Sequence, residues 1–183
     1  MQQLTLIPNK PAYEPDEVAE ILVQSPFTEA QGLVTLERHG IVSHQFLDLS
    51  SGSATLKVPL EEAFLPNLHL TVDVVGKEPR ADGDGNPVAG APPRPAQAQG
   101  GLNLAISAKS RELNVEVRPR SPKAAPGSQN QLEVVLKDAS GKAVADGEVA
   151  LLVVDESVLA LIGGDYANPW DLFYSQRAAE VSH

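Results

Sequence analysis

Cysteine is absent from the 183 residues. That removes disulfides, thiolate zinc sites, cysteine nucleophiles and any cysteine-derived thioester from this stretch. It says nothing about compartment, since periplasmic and cytosolic proteins alike do without cysteine. Aromatics are scarce, with one Trp, three Tyr and four Phe, which argues against the stacked-ring platform of a carbohydrate-binding module. Long helical periodicity is missing. No apolar run approaches the roughly 20 residues that span a bilayer, and the N-terminus has no basic stretch leading into an apolar one. Neither membrane insertion nor a signal peptide is expected within this segment. Clustered basic residues are also lacking: 14 Lys and Arg face 24 Asp and Glu, and the formal net charge of −10 is spread along the chain. Nucleic acid, which needs gathered Lys and Arg, is excluded as a partner.

What remains is aliphatic, with 15 Pro and 14 Gly as punctuation, the composition of many short strands between turns. Strands are predicted at Leu4–Ile7, Glu17–Gln24, Leu33–Glu37, Ile41–Leu49 and Ala54–Leu60. Two more follow the alternating rows Leu68, Leu70, Val72, Val74 and Leu102, Leu104, Ile106. Pro59 marks the fifth as an edge or a bulge. Lys77–Gly101, rich in Gly, Pro, Ala and Gln, has no periodic apolar face and is predicted to be a mobile loop. Seven short strands with helix-free connections predict an all-β chain, an antiparallel seven-stranded β-sandwich over residues 1–111.

The pattern then begins again. Pro8, Pro11 and Pro15 match Pro119, Pro122 and Pro126 at a constant offset of 111 residues, and Ile21 and Val23 match Leu132 and Val134 at the same offset. A repeat of that length is domain duplication, each copy reading as strand, proline-locked crossover, strand. Residues 112–183 are therefore predicted to form a second, incomplete β-sandwich, with strands at Leu113–Pro119, Asn130–Lys137 and Gly147–Asp155 and a fourth at Ser157–Ile162. Glu148–Ile162 is the most hydrophobic run of the chain. Its first half is apolar on both faces of an extended strand, which demands cover on both sides. Asn168 as N-cap, Pro169 at the first helical position and Asp171 in the first turn then predict a short C-terminal helix running to about Ala179.

No catalytic constellation emerges. Asp155 and Glu156 are neighbours on an extended chain and point to opposite faces, so they cannot share acid–base work. Ser157 lacks a nucleophile-elbow context, and Gly163-Gly164 is not followed by the Lys-Ser/Thr of a phosphate loop. Asp82, Asp84 and Asn86 alternate like the first ligands of a calcium loop, but Pro87 and Pro93 stand where the turn Gly and the bidentate Glu belong; a mobile acidic loop is the expectation. His39, His44, His69 and His183 have no carboxylate or Cys at metal-ligand spacing, although His44 and His69 could approach one another from their strands. Catalytic, cofactor-binding and metal residues are all expected to be none. Arg80, Arg94, Lys109 and Arg111 are expected in or beside exposed backbone open to proteolysis.

Three stretches resemble one family, the alpha-2-macroglobulins and complement-type thioester proteins, and its bacterial branch in particular. Lys10-Pro11-Ala12-Tyr13-Glu14-Pro15-Asp16-Glu17 is similar to the family's crossover, where Tyr-x-Pro-Gly-Asp/Glu is common; here Asp16 takes the Gly place. Ser25-Pro26-Phe27, Leu33 to Arg38 and Phe64-Leu65-Pro66-Asn67 resemble successive strand ends of one macroglobulin-like domain. The most specific stretch, Val154 to Leu161 followed by Asn168 to Tyr174, is similar to the segment leading into the bait region. The resemblance implies two macroglobulin-like domains, 1–111 and a partial 112–183 that ends where a bait begins, about forty residues short of a full second copy. It implies a non-enzymatic scaffold within a periplasmic or extracellular broad-spectrum protease inhibitor. Its partners would be the parent's other domains and, through a bait outside this chain, target proteases. Without Cys, any thioester lies elsewhere in the parent. The alternative is a structural or adhesion role for Ig- or fibronectin-like domains of a bacterial surface protein.

Overall fold

A computed structural model describes residues 2–27, 29–84, 86, 88–125, 127–154, 160–161 and 169–179. The chain divides into two compact units, Met1–Ser107 with Tyr174–His183, and Ala108–Phe173. The described residues are mostly β, arranged in several sheets.

The first unit contains β1 (Gln2–Gln3), β2 (Thr5–Pro8), β3 (Val18–Gln24), β4 (Ala30–Glu37), β5 (Ile41–Leu49), β6 (Ser53–Pro59), β7 (Asn67–Glu78) and β8 (Arg94–Ala105). They form a five-stranded sheet, β1-β8-β7-β4-β5, and a three-stranded sheet, β2-β3-β6. Alternation in sequence becomes alternation in burial. Ala19, Ile21 and Val23 are buried on β3, Leu56 and Val58 on β6, and Leu68, Leu70, Val72 and Val74 on β7. β6 lies at the edge of its sheet, as Pro59 predicts, because a residue without an N–H costs nothing on an unpaired side.

Two expectations need correction. The strand expected at Leu4–Ile7 is β2, but a further strand, β1, precedes it. β1 joins the five-stranded sheet, running parallel to β8, whereas the other pairings of named strands are antiparallel. The chain then crosses at Leu4, whose N–H donates to Gln99 O (3.1 Å), and β2 pairs with β3 in the other sheet. The crossing presses against Gly100, where a Cβ would lie 2.9 Å from Leu4 O and 3.1 Å from Leu4 Cβ. Only glycine admits so close a backbone.

The loop expected over 77–101 is also shorter, since residues 94–101 belong to β8 and pair with Thr71–Glu78. Pro95, Ala96 and Ala98 carry almost no apolar periodicity of their own. Their partner β7 has a strong apolar row and offers a full ladder edge, and tertiary pairing overrides weak local propensity. Pro95 is tolerated because β1 reaches only Ala98 and Gln99, leaving the Pro95 side of β8 unpaired.

In the second unit, β9 (Asn114–Pro119) and β10 (Leu132–Lys137) form an antiparallel pair. Its register repeats that of the first unit residue for residue. Pro8 pairs with Ile21 as Pro119 pairs with Leu132, and Leu6 with Val23 as Val117 with Val134. Even the flanking bond recurs: Asn9 N–H to Glu20 O (2.9 Å) becomes Arg120 N–H to Gln131 O (2.8 Å). The duplication read from proline spacing is thus a duplication of hydrogen-bond register.

The third strand expected in this unit is not formed. Residues 147–154 take no regular structure, and Leu152 and Val153 are 67% and 81% exposed. A strand apolar on both faces needs neighbours on both, and the sheet here has two strands. Hydrophobicity states what a segment would bury, not whether a surface exists to bury it. Of the fourth expected strand, Ser157–Ile162, only Ala160 and Leu161 are described, and they are helical rather than extended; Asp155, Glu156, Ser157, Gly163-Gly164 and the Asn168 cap lie outside the described residues. Helix α1 spans Pro169–Phe173, starting at the expected proline but stopping well before Ala179.

Candidate functional site

The end of the five-stranded sheet carries a cluster of polar side chains. Asn67 opens β7, paired with Ala105. His69, two residues on, pairs with Asn103 on one side and Glu37 on the other. Asn67 and His69 belong to the row opposite Leu68, Leu70, Val72 and Val74, so the strand period points them away from the apolar core. Asn67 is nevertheless only 2% exposed.

The reason is Arg177, in the irregular Tyr174–Ala179 stretch that belongs to the same unit. Asn67 Oδ1 accepts from Arg177 N–H (2.9 Å) and Asn67 Nδ2 donates to Arg177 O (2.9 Å). One side-chain amide thereby pairs with both main-chain groups of one residue, as a neighbouring strand would. The second proton of Nδ2 goes to Asn103 Oδ1 (2.7 Å), and Asn103 Nδ2 donates to Gln176 Oε1 (2.9 Å). Asn67 therefore uses both donors, and the reversed amide would set oxygen against oxygen at Arg177 and Asn103.

The histidines are fixed by the same bookkeeping. Arg177 O can only accept, so His69 Nε2, 2.7 Å away, carries a proton and donates. Its 3.2 Å approach to Asn67 Nδ2 is then a contact between two donors. The Arg177 guanidinium can only donate, so His39 Nε2, 2.8 Å from Nη1, accepts. Arg38 stands close behind. Its Nη2 donates to Leu65 O, and its Nη1 is buried with no hydrogen-bond partner among the described residues. Burial, and then the charge of Arg177, push the Arg38 guanidinium below its ordinary pKa. Arg177 is thus gripped by its backbone while its side chain faces a like charge.

The remaining candidates fall elsewhere. His44, on β5, pairs with Thr35 of β4, whose other neighbour is the strand of His69, so those two histidines do not form a pair; His69 and His39 meet over Arg177 instead. His183 lies outside the described residues. The acidic loop is closed by Asp82, whose Oδ1 accepts the N–H groups of Asp84 (3.0 Å) and Asn86 (2.8 Å). Among the described residues no three His, Asp or Glu are grouped to hold a metal, and no helix is long and apolar enough to cross a membrane. Arg94, expected in a loop, is on β8, directly across from Glu78 and paired to it (Nη2 to Oε1, 2.5 Å). Arg80 Nε donates to Pro92 O (3.1 Å), while Lys109 and Arg111 form a short 3-10 turn. Sequence reasoning missed Asn67, Asn103 and Arg177 as a set. The contact spans 110 residues, and no local pattern announces it.

Taken together, the described residues are a mostly β, multi-sheet module whose most elaborate polar site grips main chain. A family model described as "Alpha-2-macroglobulin bait region domain" matches residues 4–161, and the chain belongs to that family. An alpha-2-macroglobulin homolog of Nostoc is 22% identical over 177 residues, covering 92% of this chain and 9% of the relative. The circularly permutated Ras protein 2 of Dictyostelium discoideum is 27% identical over 150 residues, covering 82% of this chain and 3% of the relative. The chain thus spans less than a tenth of the length of either. Among solved structures, the Salmonella alpha-2-macroglobulin mutant Y1175G is similar in fold, with a TM-score of 0.50, 21% identity, and coverage of 97% of this chain and 11% of that one.

Proposed function

We propose that this chain is part of the scaffold of a broad-spectrum protease trap, two consecutive macroglobulin-like domains (1–111 and a partial 112–183) that hold a bait region in reach of proteases and transmit its cleavage. The observation that carries the reading is the bait-region-domain match across residues 4–161, which runs through both units. The two sheets of the first unit would be the layers of a sandwich, a reading supported by the single buried row on each of β3, β6 and β7. The parent's other domains would be its standing partners, proteases its transient ones, and the periplasm or extracellular space its place of work.

A rival reading makes these domains structural spacers. The Dictyostelium relative favours it, because a Ras protein carries similar sequence over 82% of this chain. Incubating the parent protein with several unrelated proteases separates the two. The trap reading expects cuts gathered in one short segment and the protease retained with the cleaved protein on gel filtration. Scattered cuts with every protease eluting free would sink it and leave the spacer.

A further inference from the structure

We propose that Asn67 and His69 form a main-chain clamp that seals the Arg177–Ala178 peptide bond against trypsin-like proteases, making it a gated basic cleavage site. The inference stands on hydrogen-bond geometry, with the Arg38 charge as support, and holds whether the parent is a trap or a spacer.

A protease of this specificity takes a basic side chain in its pocket and hydrolyses the peptide bond that follows. Water supplies hydroxyl to the Arg177 carbonyl carbon and a proton to the Ala178 nitrogen, leaving a carboxylate and an amine. The reaction requires the Arg177 carbonyl oxygen to enter the oxyanion hole and accept hydrogen bonds from the enzyme. In this structure that same oxygen already accepts from Asn67 Nδ2 at 2.9 Å and His69 Nε2 at 2.7 Å. The N–H of Arg177, which an extended substrate also offers to a protease, is spent on Asn67 Oδ1. The residue is exposed, in an irregular stretch of the kind proteases favour, and yet its main chain is taken.

The clamp is built rather than incidental. Asn67 is 2% exposed and its amide is braced by Asn103, which holds Gln176 as well. It is also easily opened. The Arg177 guanidinium rests on His39 with Arg38 behind it, so the side chain gains less from staying than the backbone does. A basic side chain carried on a clamped backbone is sealed while the clamp holds and competent when it lets go.

Trypsin digestion of the full chain, followed by mass spectrometry, tests this. Asn67→Asp keeps the shape and the acceptor but turns the donor facing Arg177 O into an acceptor. It should accelerate the cut after Arg177 roughly tenfold, with no change in the cut after Lys57, which sits within β6 and reports on the fold. Equal rates after Arg177 in wild type and N67D overturn the proposal. Should N67D open Lys57 as well, His69→Ala, at a half-buried position with Asn67 intact, carries the decision. A selective gain after Arg177 of roughly fivefold supports the clamp, and no gain overturns it.

Discussion

Asp16 occupies a left-handed backbone conformation, φ +67°, in the crossover between β2 and β3. Its N–H is held by Leu60 O (2.7 Å), and the preceding Tyr13 is pinned on three sides. Tyr13 Oη donates to Asn9 Oδ1 (2.7 Å), its N–H donates to Ala105 O (3.0 Å) and its carbonyl accepts from Ser107 N–H (2.7 Å). The crossover is thus locked by its neighbours into a dihedral that L-residues avoid and glycine adopts freely. Asp is among the side chains that tolerate the left-handed region best, though less well than Gly. Asp16→Gly should leave stability unchanged or raise it slightly, whereas Asp16→Val should lower it by about 1–2 kcal/mol. Urea unfolding of the two variants checks the order. A valine variant as stable as wild type would show that the crossover relaxes out of this conformation at no cost.

At the scale of elements, the apolar rows of β3, β6 and β7 were legible because period-2 alternation is a local property and the faces it predicts are the buried ones. The β2–β3 and β9–β10 pairs were legible twice, through their prolines and through their matching rows. The added strand β1 before Leu4, the extension of β8 through Pro95 and Ala96, and the loss of the strand at 147–154 were not legible. Each depends on which edge or surface a distant segment offers. The clamp belongs with them: Asn67 was visible only as a strand end, and Arg177 only as a residue of an expected helix. That helix stops at Phe173, and the stretch that follows spends its backbone groups on Asn67 and His69 instead of on helix bonds. Elements also differ in how firmly they are held. β7 is paired along its length with β8 and over much of it with β4, and it carries a buried row. β9 pairs with β10 alone among the described residues, β10 gains beyond that the Lys137–Ala143 bridge and the Val144 N–H to Leu136 O bond (3.0 Å), and every residue of β9 is exposed. An isolated two-stranded pair is marginal in water. Amide hydrogen exchange should therefore be slowest in Leu68–Val74 and at least a hundredfold faster in Val115–Val117, about 3 kcal/mol apart on the local-opening scale. Equal protection in the two strands would mean that the second unit is covered by something beyond its own described residues.

For the whole molecule the relevant variable is charge. At pH 7 the chain carries a formal net charge of −10, and its isoelectric point is near 4.8. Self-repulsion eases as the pH falls from 7 towards 5, which favours the compact state. A second effect then opposes it. Three carboxylates titrate below their ordinary range: Glu17 through Lys10 Nζ and the Glu14 N–H, Glu116 through the Arg118 guanidinium, and Asp138 through the Ser140 hydroxyl and the Lys142 N–H. A carboxylate whose pKa is lower in the folded than in the unfolded chain contributes stability above its unfolded value, and that stability is lost as the pH drops through the folded value. The window therefore opens near pH 4.5 for the two glutamates and near 3.8 for Asp138 and extends downward, and it touches both units, Glu17 in the first and Glu116 and Asp138 in the second. Stability measured by urea unfolding should rise modestly from pH 7 to about 5 and fall between 4.5 and 3. Salt distinguishes the contributors, because the Lys10–Glu17 and Arg118–Glu116 pairs are solvent-exposed ion pairs and are screened. Asp138 is held mainly by a hydroxyl and backbone N–H groups within its own turn and is screened far less. In 0.5 M salt the acid-side fall should flatten in wild type, and Glu17→Gln should flatten it at low salt. Asp138→Asn should remove the part that salt leaves behind. A stability that stays level from pH 5 to 3 at low salt would show that these carboxylates are bound no better in the folded chain than in the unfolded one.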